Sequence, residues 1–194
     1  MGTERTIVLA SASPRRRELL EKIGLKFSVD PSDYPENLRS DLNPEGLVKS
    51  ISLGKALQVS LKYPNALIIA ADTFGMFEGK ILGKPHTADE ALKMLSALNG
   101  KSHIVITGYT ILDSATQKMV THTEETRVYF KKLSAEEINR YVKTGEPLDK
   151  AGAYAIQGLG AVIVEKIVGD YYNVMGLPLC SLVESLKDFG ITVL

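Results

Sequence analysis

The chain has 194 residues with 23 Lys+Arg against 23 Asp+Glu, and 44% of its positions are hydrophobic. This composition excludes global disorder and a generally basic surface for a nucleic-acid polymer, and the length suits one domain over 1–194. One cysteine permits no internal disulfide, and no apolar run nears the roughly 20 residues that span a bilayer, so a cytoplasmic protein away from membranes is expected.

Strand-length apolar runs alternate with segments of helical period, the pattern of an α/β protein. Residues 7–10 form the first predicted strand. A helix follows over 14–23, with Ser13 as N-cap, Pro14 in its first turn and Gly24 as its stop. Asn43-Pro44 opens a second helix whose Leu47, Val48, Ile51, Leu57 and Leu61 are assigned to the core. Residues 67–71 make a buried strand that delivers Asp72 at its C-terminal end, and 74–77 with 80–82 can pair as a hairpin around Gly79. Capping-box spacings at Thr87/Glu90 and Ser134/Glu137 start two more helices. Between them, 104–112 and 120–130 alternate as long strands; 161–164 reads as a strand and 179–189 as the last helix. The order mixes βα units with an antiparallel section, so a mixed sheet is expected.

The most informative stretch places Arg15, Arg16 and Arg17 at the start of a helix. A helix N-terminus already carries about half a positive charge, so cations there are unfavourable by about 0.3–1 kcal/mol each. An anion from elsewhere compensates them. Backbone N–H groups, the Ser11 and Ser13 hydroxyls and guanidinium forks after a strand suit a phosphate, with Arg17 expected at the surface. A carboxylate such as Asp72 facing that phosphate calls for a divalent cation between them, Mg²⁺ or Mn²⁺, with Glu36 as a second oxygen ligand. Lys55 and Lys84 can reach phosphates, although residue type alone nominates neither. The stretch 146–160 combines Gly152, Gly158 and Gly160 with Gln157, whose amide can both donate and accept.

Other signals fail. Gly100-Lys101-Ser102 lacks the first glycine of a phosphate-binding loop, and His86, His103 and His122 lack metal-ligand spacing. Cys180, among Leu179, Leu182 and Val183, reads as a small core residue.

Taken in series, Ser11-Ala-Ser-Pro-Arg-Arg-Arg-Glu-Leu-Leu20, Ala71-Asp72-Thr73, Leu82-Gly-Lys84-Pro85, the run from Asp149 to Gly158 and the run from Gly169 to Pro178 resemble the Maf family of nucleoside triphosphate pyrophosphatases. The resemblance implies a mixed-sheet Maf/Ham1 fold of two lobes around a central cleft, often as a homodimer. It implies metal-dependent hydrolysis of a nucleoside triphosphate to the monophosphate and pyrophosphate. Asp72 falls on the position of the proton acceptor; Ser11, Arg15, Arg16, Glu36, Lys55 and Lys84 fall on catalytic or phosphate-contacting positions. Arg15, Thr73 and Gln157 fall on positions that separate subfamilies, in the form found in the dTTP/UTP branch. Gly75 and Ala155 depart from the family pattern without removing a site residue. Two alternatives use the same residues: a pyrophosphatase for 7-methyl-GTP or modified purines, and a non-catalytic nucleotide-binding regulator of cell division.

Overall fold

The computed structural model describes residues 5–36 and 42–194. Among the described residues, seven strands form one mixed sheet in the order β2-β1-β3-β5-β6-β7, with β4 paired to β3. β1 (Thr6–Leu9) runs parallel to both β2 (Ser28–Val29) and β3 (Ala66–Phe77), with Leu9 opposite Ile69. β4 (Lys80–Leu82) is antiparallel to β3, and β7 (Val164–Val168) is antiparallel to β6 (Met119–Phe130). β5 (Ser102–Asp113) lies between β3 and β6.

The helices are α1 (Pro14–Lys22), α2 (Pro44–Ser60), α3 (Ala88–Leu98), α4 (Ala135–Lys143), α5 (Tyr171–Met175) and α6 (Leu179–Lys187). The Asn43 side chain caps α2 through Gly46 N–H, and the Ser134/Glu137 box closes reciprocally at α4. At α3, Thr87 accepts from Glu90 N–H while the Glu90 carboxylate turns back to His86 N–H. No described helix is long and apolar enough to cross a membrane.

The chain divides into two compact units. One comprises residues up to Thr73, Thr107–Glu124 and Met175–Leu194; the other comprises Phe74–Ile106 and Glu125–Val174. In the first, Val8, Ala10, Ala56, Val59, Ala66, Ile68, Ala70 and Leu112 make a fully buried cluster, so α2 packs on the parallel strands. In the second, α3 and α4 pack together, and His103, Phe130 and Tyr154 form an aromatic cluster.

Several expectations change. The strand that carries Asp72 does not stop there. It continues to Phe77, because β4 pairs with its second half and supplies hydrogen-bond partners beyond Ala71. Asp72 still lies beyond the last β1 rung at Leu9, so it sits past the carboxyl end of its parallel neighbour. Leu57 in α2 and Leu61 just past its end are exposed. The buried stripe runs through Val48, Ile51, Ser52, Lys55, Ala56 and Val59, at helical spacing, and Leu57 and Leu61 lie off it. Cys180 is exposed because α6 buries Leu179, Leu182 and Leu186, and the next position after 179 turns away by about 100°. The predicted strand at 161–164 is mostly a 3-10 turn (Gly158–Val162), and the strand begins at Val164. Ser13 occupies the N-cap position of α1 with extended backbone, but its side chain makes no capping hydrogen bond.

Candidate active site

α2 positions Lys55 on its buried stripe, where a lysine needs a charged partner. It has two. Lys55 Nζ donates to Asp72 Oδ1 at 2.8 Å and to Glu36 Oε1 at 2.6 Å. The side chains of Lys55 and Asp72 are each 8% exposed, whereas that of Glu36 is 55% exposed. The ammonium is therefore sandwiched between an inner and an outer carboxylate. Asp72 Oδ2 accepts from no described residue. Burial pushes the Asp72 carboxyl above its ordinary value; Lys55 and Arg16 pull in the other direction without cancelling it, and Glu36 adds to the rise. A partly desolvated carboxylate with one uncommitted oxygen is suited to accept a proton.

The same pair tests the expected metal. Among the described residues, no group of three or more His, Cys, Asp or Glu side chains could hold an ion. Asp72 and Glu36 are the carboxylates that would hold a hard cation completed by phosphate and water oxygens, and here both bond the Lys55 ammonium.

The three arginines of α1 have three different fates. Arg17 Nε donates to Glu21 Oε1 at 2.8 Å on the exposed face, as expected for a surface residue. Arg15 is half-buried and makes no hydrogen bond or ion pair with a described residue. Arg16 is buried. Its Nε donates to Gly176 O at 2.8 Å, its Nη1 to Ala71 O at 2.8 Å and Ser11 Oγ at 3.1 Å, and its Nη2 to Thr73 Oγ1 at 3.0 Å. Burial lowers the Arg16 pKa, opposed by Asp72 and Glu36 and reinforced by Arg15. The buried Ser11 hydroxyl also accepts from Ser13 N–H, and Thr73 Oγ1 shares a hydrogen with Thr107 Oγ1 at 2.9 Å. One unit thus gathers Ser11, Ser13, Arg15, Arg16, Glu36, Lys55, Asp72 and Thr73.

Lys84 and Gln157 belong to the other unit, and both are exposed. Gly152 N–H donates to Gly83 O, so the segments that carry them are joined by a backbone hydrogen bond. Gln157 precedes the Gly158–Val162 turn, whose Leu159 and Gly160 N–H groups both donate to the Glu146 carboxylate; Tyr141 Oη donates to it as well. Burial raises the Glu146 pKa, but those three donors outweigh it and leave a net depression. Glu146 was not singled out in the sequence. The sequence signal is an acid on the same stretch as Gly158 and Gly160, whose turn offers backbone N–H donors. His103, set aside for lack of metal spacing, is instead a buried neutral ring whose Nε2 bonds Tyr154 Oη at 2.9 Å.

The chain matches the family model described as "Maf-like protein" over residues 6–189. Curated relatives named dTTP/UTP pyrophosphatase include one from Methanococcoides burtonii, 52% identical over 97% of both chains. Another, from Desulforamulus reducens, is 47% identical over 97% of this chain and 99% of its own. A third, from Thermoanaerobacter sp., is 51% identical with the same coverage. Among solved structures, the Staphylococcus aureus Ham1 protein aligns with 65% of this chain and 72% of its own at 12% identity and a TM-score of 0.47.

Proposed function

The chain belongs to the Maf family, and from that premise we propose that it is a nucleoside triphosphate pyrophosphatase for dTTP and UTP, with CTP and modified pyrimidine nucleotides as further substrates. The observation that carries this reading is the identity of about half the residues, along 97% of the chain, with proteins named for that activity. The site chemistry agrees with it.

Asp72 Oδ2 accepts the proton of a water whose oxygen bonds the α-phosphorus. The bond from that phosphorus to the α,β-bridging oxygen breaks, and pyrophosphate leaves. Lys55 keeps the Asp72 carboxylate oriented through Oδ1 while its other oxygen works. Arg15, whose guanidinium bonds no described residue, and Lys84 take phosphate oxygens; Ser11 and Ser13 support the α1 N-terminus behind them. Arg15, Thr73 and Gln157, on the positions that separate the subfamilies, set which nucleotide is preferred. A divalent cation, when bound, would be held by Asp72 and Glu36 and would neutralise charge on the phosphates. The cytoplasm is the expected location, and a homodimer the expected assembly, which sedimentation of the purified protein measures.

The test is pyrophosphate release by purified protein with Mg²⁺ from a panel of dTTP, UTP, CTP, ITP and 7-methyl-GTP. Preference for dTTP and UTP supports the proposal. Preference for ITP or 7-methyl-GTP would move the specificity to the sister branch, and nucleotide binding without turnover would leave a sensor. Asp72→Asn is expected to lower kcat by about 10²–10⁴, the usual contribution of a positioned proton acceptor.

A further inference from the structure

Arg16 lies in the arginine cluster that the sequence aims at a phosphate, yet its guanidinium is turned into the protein. Its four acceptors are all neutral and come from three places: the end of β1 (Ser11), β3 on both sides of Asp72 (Ala71 and Thr73) and the turn at Gly176. Four of its five N–H groups are thereby used. An arginine meant for a triphosphate would forfeit these bonds and leave buried acceptors unsatisfied.

The choice of partners is informative. Successive side chains of a strand point to opposite faces. Thr73 turns towards Arg16 and Thr107, and Asp72 turns the other way towards Lys55 on α2. Arg16 holds the Ala71 carbonyl and the Thr73 hydroxyl, so it grips the backbone before Asp72 and the side chain after it. Rotation of the strand about its own axis, which would swing the Asp72 carboxylate away from Lys55, would have to break these bonds.

We propose that Arg16 is a positioning residue, one that locks β3 on either side of Asp72 so that the carboxylate is aimed at the attacking water, and that Arg15 alone of the three arginines binds the triphosphate. This rests on the pyrophosphatase reading of the same site.

The experiment compares wild type, Arg16→Lys and Arg15→Lys for kcat and KM with dTTP, and for the Kd of pyrophosphate by calorimetry. A lysine keeps the charge but cannot span four acceptors. Arg16→Lys is expected to lower kcat by at least about tenfold while KM and the pyrophosphate Kd stay within about twofold, the pattern of a misplaced reacting group. Arg15→Lys is expected to raise KM and the pyrophosphate Kd by about tenfold or more. If Arg16→Lys does not fold by circular dichroism, Thr73→Val and Thr73→Ser decide: the valine lowers kcat at unchanged pyrophosphate Kd, and the serine, which keeps the hydroxyl, restores it. Pyrophosphate binding lost in Arg16→Lys to the same extent as in Arg15→Lys, or Thr73→Val leaving kcat intact, overturns the inference alone. A wild-type protein that releases no pyrophosphate from any triphosphate removes the underlying reading, and the inference with it.

Discussion

Lys55 holds one positive charge between two carboxylates that differ sharply in exposure, and that difference ranks their contributions. Removing the ammonium leaves Asp72 buried without its cation; breaking a buried pair in this way costs about 3–5 kcal/mol. Removing the charge of Glu36 loosens a contact already screened by water, worth about 0–1 kcal/mol. Lys55→Met is therefore expected to lower the urea midpoint strongly and Glu36→Gln hardly at all. Equal losses from the two would refute the ranking. The same asymmetry bears on pH. Asp72 works only when ionised and its pKa is raised, so kcat should fall with acidification at a pH above the ordinary carboxylate range of about 4. Without Lys55 the acid limb should move further up. An acid limb that stays in place in Lys55→Met would show that another group sets it.

At the scale of elements, α2 joins the site to the core, and two glycines govern how closely its neighbours approach. A Cβ on Gly108 of β5 would lie 2.7 Å from the Val48 carbonyl carbon and 2.8 Å from its oxygen. Backbone cannot step aside cheaply, so Gly108→Ala should cost about 1–3 kcal/mol or more by pushing α2 off the sheet. A Cβ on Gly54 would instead meet the Tyr34 ring, at 2.2 Å. A ring can swing away, and alanine gains about 1 kcal/mol of helix propensity over glycine, so Gly54→Ala should leave the denaturation midpoint within about 1 kcal/mol. Its effect should fall on kcat, because Tyr34 precedes Glu36 by two residues and its displacement disturbs the carboxylate on Lys55. Loss of stability in Gly54→Ala equal to that in Gly108→Ala would contradict this. Much of this architecture is legible in the sequence: the caps at Asn43 and Ser134, the buried run before Asp72 and the mixed order of elements follow from local pattern. Lys55 carried a clue in its spacing from Ile51, Ser52, Ala56 and Val59, but a lysine in an apolar stripe is recognisable only once the stripe is placed correctly, and Leu57 and Leu61 drew it askew. The fate of Arg16 was not legible at all. Its acceptors at Ala71, Thr73 and Gly176 lie at least 55 residues away in sequence, and three of its four bonds depend on that tertiary approach.

At the scale of the whole molecule, acid should destabilise the chain in two separable steps. Burial drops the His103 pKa from 6.5 to about 4, with the Ile104 backbone opposing only in part. The unfolded chain takes up a proton near pH 6.5 that the folded chain refuses, so stability declines as pH falls from 6.5 to about 4, by at most roughly 3 kcal/mol, and levels off below. Asp113 acts lower. Burial would raise its carboxyl, but Arg5, the Thr116 hydroxyl and the Ala115 and Thr116 amides outweigh it and hold the pKa at about 2. Its stabilisation is complete above 3.8 and is lost as pH falls through about 2, a contribution on the order of 1–2 kcal/mol. Asp72 has the opposite sign: its raised pKa means that protonation favours the fold, so it softens the first step. Urea midpoints measured from pH 7 to pH 2 separate these contributions. His103→Gln should flatten the decline between pH 6.5 and 4 and leave the lower one; Asp113→Asn should lower stability at neutral pH and flatten only the lower one. If His103→Gln kept the wild-type slope in the upper window, the buried imidazole would not be the group that refuses the proton.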